Sequence, residues 1–334
     1  MPATSLLLNF VWWYALNAAY LVFTVSALRT SDGHVGITAA VAQLGVGSLY
    51  ALLIWLIGYN PLPLLGLGTP TVQKLPKVGS SDVMRMLPVA ILSAGMHISM
   101  LIALENGSVF FVMVVKAGEP FVTAIVFTLA YGKPPSAAKW LCALLIVGAI
   151  TALATSRACP ECSAVALVAA SISNVFAALK SGETRKLMSV PGIKERIEGI
   201  SNQFALNVLV SFLISLPALV MEWNHLDALT NPTFLSSTVA AGVSFYLYNE
   251  LASETIRHTG ACTASVANAL KRALLIFGVQ AWLGHSSTSD DFTEAVSDTT
   301  LVLMSALTAI LGALAYGVID DIIKAGTKRA PGMV

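Results

Sequence analysis

Of the nineteen Lys and Arg residues in this 334-residue chain, four stand inside long apolar runs: Lys116, Lys180, Lys271 and Arg272. A basic side chain held at mid-membrane costs at least ~2.5–3.5 kcal/mol on insertion scales, so such residues face a bundle interior or a water-filled cavity and mark a site of function. Lys116 and the Lys271-Arg272 pair stand deep within such runs. Lys180 lies nearer the end of its run, one to two turns before Arg185 and Lys186, so snorkelling towards the membrane surface stays open for it. These are groups for holding an anion by charge. The residues of covalent chemistry do not accompany them, since there is no HExxH, no GxSxG, no paired intramembrane carboxylates with a histidine and no GxxxxGK[ST] phosphate loop. Cys159-Pro160-Glu161-Cys162 has redox-type spacing but sits in a short connection, without a second pair or histidines to complete a zinc site. Its thiols read as incidental. No cofactor is expected.

The elements that must position these cations follow from composition. Hydrophobic residues make up 56% of the chain and charged ones 11%, against about 25% charged in soluble domains. Apolar runs near the roughly 20 residues of a membrane crossing recur along the whole length. They predict ten spans, at roughly 6–28, 36–64, 82–104, 108–131, 137–155, 163–183, 201–221, 234–256, 261–284 and 299–323. The connections are short, and the chain reads as one transmembrane domain over 1–334. The runs are continuous rather than alternating, which excludes a β-barrel. With both termini on one face, that face collects thirteen Lys and Arg, from Lys74 to Arg329, and the other only Arg29 and Arg157. This asymmetry is the mark of an even number of crossings. A net charge of +1 gives no reason to expect nucleic acid. Trp12, Trp13 and Tyr14 read as an interfacial aromatic belt.

Ten spans divide into two sets of five, about 6–155 and 163–323, and an odd-numbered set inserts its second copy upside down. Lys116 falls in the fourth span and Lys271-Arg272 in the ninth, the same element of each half. A short Gly-containing turn precedes both, Asn106-Gly107 and Thr259-Gly260. That placement brings the cations near the midplane, where an alternating-access carrier keeps its site. Glu119 follows Lys116 by three residues and is expected on the same helix face, pairing with it or orienting it. Tyr248 precedes Lys271 by a helical hairpin and so can face it.

At these positions the chain resembles a known family. Gly95-Met96-His97 followed by Gly107 to Pro120 (GSVFFVMVVKAGEP), Phe245 to Glu250 (FYLYNE) followed by Ser265 to Arg272 (SVANALKR), and more weakly Ser173 to Met188, are similar to segments of the plastid phosphate translocators of the drug/metabolite transporter superfamily. The similarity extends at low level over nearly all ten spans. It implies an all-α membrane protein with ten transmembrane helices as two inverted five-helix repeats. It also implies a site in which Lys116, Lys271 and Arg272 clamp a phosphate, with Tyr248 donating a hydroxyl, His97 near the organic part and Lys180 as a further substrate ligand. Two positions depart from the family pattern. Lys180 stands where arginine is usual, keeping the charge without the bidentate fork. Met100 stands one turn after His97, where a threonine often serves.

A phosphate monoester carries about −1.5 to −2 charges at neutral pH, which two or three cations complement. The resemblance therefore implies an antiporter, not an enzyme. It would exchange inorganic phosphate for small phosphorylated metabolites across a lipid bilayer, with triose phosphate and 3-phosphoglycerate first, phosphoenolpyruvate second and hexose or pentose phosphates third. A nucleotide-sugar carrier of the same superfamily is the alternative. The location implied is the inner envelope membrane of a plastid. The first span follows the start directly, so an organellar targeting leader is expected to lie outside this sequence.

Overall fold

The computed structural model describes residues 3–31, 34–60, 62, 72–132, 134–154, 163–283, 304, 307–312 and 314–319. Among them the architecture is helical: α1 Ala3–Thr30, α2 Gly36–Ile57, α3 Ser80–Asn106, α4 Val109–Ala117, α5 Glu119–Tyr131, α6 Ala137–Ala154, α7 Ala164–Met188, α8 Ile193–Ile197, α9 Ile200–Ser215, a 3₁₀ segment Leu216–Thr230, and α10 Pro232–Leu283. The extended backbone pairs only at an isolated bridge between Tyr59 and Val72 among these residues. Large apolar side chains stay exposed along the helices, Leu56 and Leu129 among them, as expected where the surroundings are lipid. Five segments are long and apolar enough to cross a membrane: Leu6–Thr30, Gly36–Ile57, Ser80–Asn106, Ala164–Met188 and Ile200–Thr230. The α4–α5 pair makes a sixth if it counts as one broken crossing, and Ala137–Ala152 and Leu307–Ile319 are shorter apolar helices.

Two expectations about the elements are corrected. The fourth span is two helices bent by about 40° at Gly118. Pro120 has no N–H for the carbonyl of Lys116 and its ring crowds that carbonyl, so the α ladder ends there. In the second half the turn at Thr259-Gly260 is absent, and α10 runs through 52 residues. It holds no proline after Pro232, and an isolated glycine costs a helix only about 1 kcal/mol relative to alanine. The span is more than twice the roughly 20 residues of one crossing.

The chain forms two compact units, each drawn from both sequence halves: residues 1–105 with 179–258, and residues 106–178 with 259–334. In the first unit α2 packs against α9 through small residues. A Cβ on Gly45 would lie 2.9 Å from the Phe212 ring and one on Gly47 3.2 Å from Val208, while one on Gly242 of α10 would meet Val46 at 2.7 Å. Small residues let helices approach where lipid supplies no hydrophobic drive. Buried polar pairs fix the register: the Trp55 indole N–H donates to Asn202 Oδ1 at 2.9 Å, and Ser211 Oγ donates to the Ala90 carbonyl at 3.0 Å.

The amino end of α2 is held by carboxylates far away in sequence. Glu105 Oε1 accepts from the Val35 and Gly36 amides at 2.6 and 2.9 Å, and Glu222 accepts from the Ile37 and Thr38 amides at 2.9 and 2.7 Å. Four consecutive donors that a helix start leaves unpaired thus meet negative charge at the positive end of the dipole. On α8, Arg196 forks onto Asp82 of α3, with Nε and Nη2 donating at 2.7 and 2.8 Å.

In the second unit α4 and α5 pack on α6, and the bend is seated by close approach. A Cβ on Gly118 would stand 2.7 Å from Ile150 Cδ1. Trp13, read from sequence as interfacial, is buried, its ring stacked 6.0 Å from Phe10. Helix packing takes it where the belt pattern predicts a surface position.

Candidate functional site

In the second unit, the break at Gly118 leaves Lys116 half-buried in the last turn of α4, where the carbonyl end of a helix favours a cation. Its Nζ donates to Ser173 Oγ at 3.2 Å, and the neighbouring Asn174 Nδ2 donates to the Val115 carbonyl at 2.9 Å. Ser173 and Asn174 are buried on α7, so α7 grips the broken end of α4 through one side-chain and one main-chain contact. Glu119 opens α5 beyond the bend, so the regular helix face expected to carry both Lys116 and Glu119 is interrupted between them. Lys271 lies in the same unit, half-exposed on α10. Arg272 follows it in that helix, and its side chain lies outside the described residues.

His97, Tyr248 and Lys180 belong to the first unit. His97 is buried on α3 against Phe245, with ring centroids 4.4 Å apart, and Tyr20 lies 6.2 Å away. Its Nε2 is 3.1 Å from Gln43 Oε1 of α2, and Gln43 Nε2 donates to Thr24 Oγ1 of α1 at 3.2 Å. Tyr248 is half-buried, its ring 5.5 Å from Tyr20 and 5.8 Å from Phe245. Lys180 of α7 lies close enough to act electrostatically on His97. The unit therefore gathers His97 and Tyr248 around one aromatic cluster, with Lys180 in electrostatic reach of His97. No hairpin separates Tyr248 from Lys271, because α10 is continuous between them. Asn249 turns back on its own helix, its Nδ2 donating to the Phe245 carbonyl at 2.8 Å.

Gln43, Thr24, Tyr20, Ser173 and Asn174 join these residues in the structure without being singled out by sequence. Their signal was present, since each is a polar or amphipathic side chain inside an apolar run. Glu250 is a further case. It is buried on α10, taking a hydrogen bond from Asn60 Nδ2 at 2.9 Å, and Asn60 also donates to Gln73 Oε1 at 3.2 Å. Among the described residues no three His, Cys, Asp or Glu side chains gather to hold a metal. Cys159 and Cys162 lie outside the described residues.

The arrangement offers cations and hydrogen-bonding groups inside apolar helices, suited to binding an anion with an organic part. Three chloroplast proteins are similar to this chain. Glucose-6-phosphate/phosphate translocator 1 of Arabidopsis thaliana is 24% identical over 276 residues, covering 80% of this chain and 66% of the relative. Phosphoenolpyruvate/phosphate translocator 2 of the same plant is 25% identical, covering 79% and 66%. The triose phosphate/phosphate translocator of Brassica oleracea var. botrytis is 24% identical over 311 residues, covering 89% and 70%. The chain thus spans about two thirds of the length of the curated relatives it matches. The family model described as Triose-phosphate Transporter family matches residues 4–290, and with cations and polar groups set inside its apolar helices, the chain belongs to that family.

Proposed function

We propose that the protein is an antiporter exchanging inorganic phosphate for phosphorylated C3 metabolites by alternating access, with triose phosphate and 3-phosphoglycerate preferred over phosphoenolpyruvate. Lys116, Lys271 and Arg272 bind the phosphate, and His97, Tyr248 and Lys180 are further substrate ligands. The observation that carries this reading is Lys116, a cation half-buried within apolar helices at a helix break and held by the Ser173 hydroxyl. Broken helices at membrane depth are where transporters build substrate sites. The ten-helix inverted repeat is supported by the make-up of the units. The first unit holds expected spans two and three with seven and eight, and the second holds four and five with nine and ten, so four of the five equivalent pairs stay together, while span one lies in the first unit and most of span six in the second. The plastid inner envelope is the proposed location, by analogy with the chloroplast relatives.

Obligate exchange follows from electrostatics. Sealing the total positive charge of Lys116, Lys271 and Arg272 from water during the switch between faces is costlier without a bound anion than with one, since burying charge costs several kcal/mol per ion. A bound phosphate group cancels most of the total, so the loaded carrier switches and the empty one stays. Uptake of labelled phosphate into liposomes tests this. It should be fast into vesicles holding phosphate or triose phosphate and slow into empty ones, and equal rates would refute the mechanism. Hexose phosphate is the second reading, favoured by the glucose-6-phosphate/phosphate relative at the same 24% identity as the triose phosphate one. Competition with glucose 6-phosphate in the same assay separates the two.

A further inference from the structure

The hydrogen-bond chain behind His97 sets which face of its ring a ligand meets. At neutral pH an imidazole carries one ring proton, and the nitrogen without it is an acceptor. Gln43 Nε2 is committed as a donor to Thr24 Oγ1, which turns Gln43 Oε1 towards His97 Nε2 at 3.1 Å. A carbonyl oxygen can only accept, so the ring proton sits on Nε2 and Nδ1 keeps its lone pair. No donor among the described residues reaches Nδ1. The ring is 3% exposed and fixed against Phe245, so it cannot turn to exchange its nitrogens without breaking both contacts. An acceptor that no donor of the described residues satisfies is open to one from a ligand.

We propose that Gln43 is a positioning residue that fixes the Nε2–H tautomer of His97 and so makes Nδ1 an acceptor for a hydroxyl group of the substrate. This rests on the proposed function for the substrate class and narrows it to phosphorylated metabolites that carry a free hydroxyl. Dihydroxyacetone phosphate and 3-phosphoglycerate have one to donate. Phosphoenolpyruvate and inorganic phosphate have no such alcohol beside the phosphate. One neutral hydrogen bond corresponds to a preference of roughly three- to tenfold.

Two measurements test the assignment. In the ¹⁵N-histidine-labelled protein, the His97 signal, identified by its loss in His97→Asn, should show a protonated Nε2 and an unprotonated Nδ1. Gln43→Leu should turn it into a mixture of tautomers. A wild-type proton on Nδ1, or a tautomer unmoved by Gln43→Leu, overturns the proposal whatever the protein transports. In phosphate-loaded liposomes, Gln43→Leu should raise the KM for dihydroxyacetone phosphate relative to that for phosphoenolpyruvate roughly three- to tenfold. An unchanged ratio in a variant that still exchanges phosphate overturns it too. If the wild-type protein exchanges no phosphate, the proposed function falls, and the tautomer measurement still decides the role of Gln43.

Discussion

The seat of the helix break can be tested by crowding it and then relieving it. Gly118 has φ −73°, a backbone conformation that alanine adopts freely, so a methyl group there should stabilise by about 0.4–1 kcal/mol through the unfolded chain. Against this, the new Cβ would stand 2.7 Å from Ile150 Cδ1 and 3.0 Å from the Val115 carbonyl, where carbon pairs settle at about 3.5–4.0 Å. Overpacking of that kind costs about 1–3 kcal/mol, so crowding wins and Gly118→Ala should be net destabilising by about 1–2 kcal/mol. Ile150→Val alone deletes the offending methyl at a cost of about 0.5–1.5 kcal/mol. In the double variant the new methyl occupies the vacated space. The two losses should then fall short of additivity by about 1–2 kcal/mol, within the range measured for residues in contact. The assay is thermal unfolding in detergent alongside phosphate exchange in liposomes, since a displaced α4 end also moves Lys116. Recovery of both properties in Gly118→Ala/Ile150→Val is expected. Strict additivity would show that Ile150 does not seat the bend.

Glu222→Ala strips the acceptors from the Ile37 and Thr38 amides, and two orphaned donors should cost about 1–3 kcal/mol each, read as a lowered melting temperature; Glu222→Gln should recover part of it by keeping one acceptor oxygen. Ser173→Ala removes a neutral partner of Lys116 and should weaken phosphate binding roughly two- to tenfold, measured as KM in exchange. Arg272→Lys keeps the charge but loses the fork, so transport should fall sharply at an unchanged melting temperature; normal uptake would assign Arg272 a structural role.

What the sequence disclosed and what it concealed divide along physical lines. Apolar runs longer than a membrane crossing announce themselves, and a charge within one stands out against its neighbours; Lys116, Lys180, Lys271 and Arg272 were visible on that ground alone. The bend at Gly118-Glu119-Pro120 was spelled out locally, yet one uninterrupted apolar stretch over 108–131 masked it. The converse holds at Thr259-Gly260, where the glycine suggests a turn that no proline enforces. Capping of α2 by Glu105 and Glu222 could not be read at all, because its partners are separated by some 70 and 185 residues. Nor could the Thr24–Gln43–His97 chain, which joins three helices. Single polar residues in apolar runs say that a partner exists and leave its identity to the packing.

The helices that carry Lys116 and Lys271 are built differently. After Lys116 come Ala-Gly-Glu-Pro and the helix ends; after Lys271 come Arg-Ala-Leu-Leu and it continues. A helix carboxyl end carries about −0.5 of a unit charge, felt within its last turn, so the peptide dipoles of α4 already offset part of the Lys116 charge. Lys271 stands more than two turns from either end of α10, beyond the reach of a helix end, and Arg272 beside it adds a second positive charge. A phosphate held by these three groups would therefore draw more of its attraction from the continuous helix than from the broken one. The broken helix contributes something else: a cation whose ammonium group donates to Ser173 and whose neighbour Val115 has its carbonyl held by Asn174, positioned before a ligand arrives. Under the proposed inverted repeat, strength from one half and preorganisation from the other would be a division of labour open to two copies that match in fold and differ in a few residues.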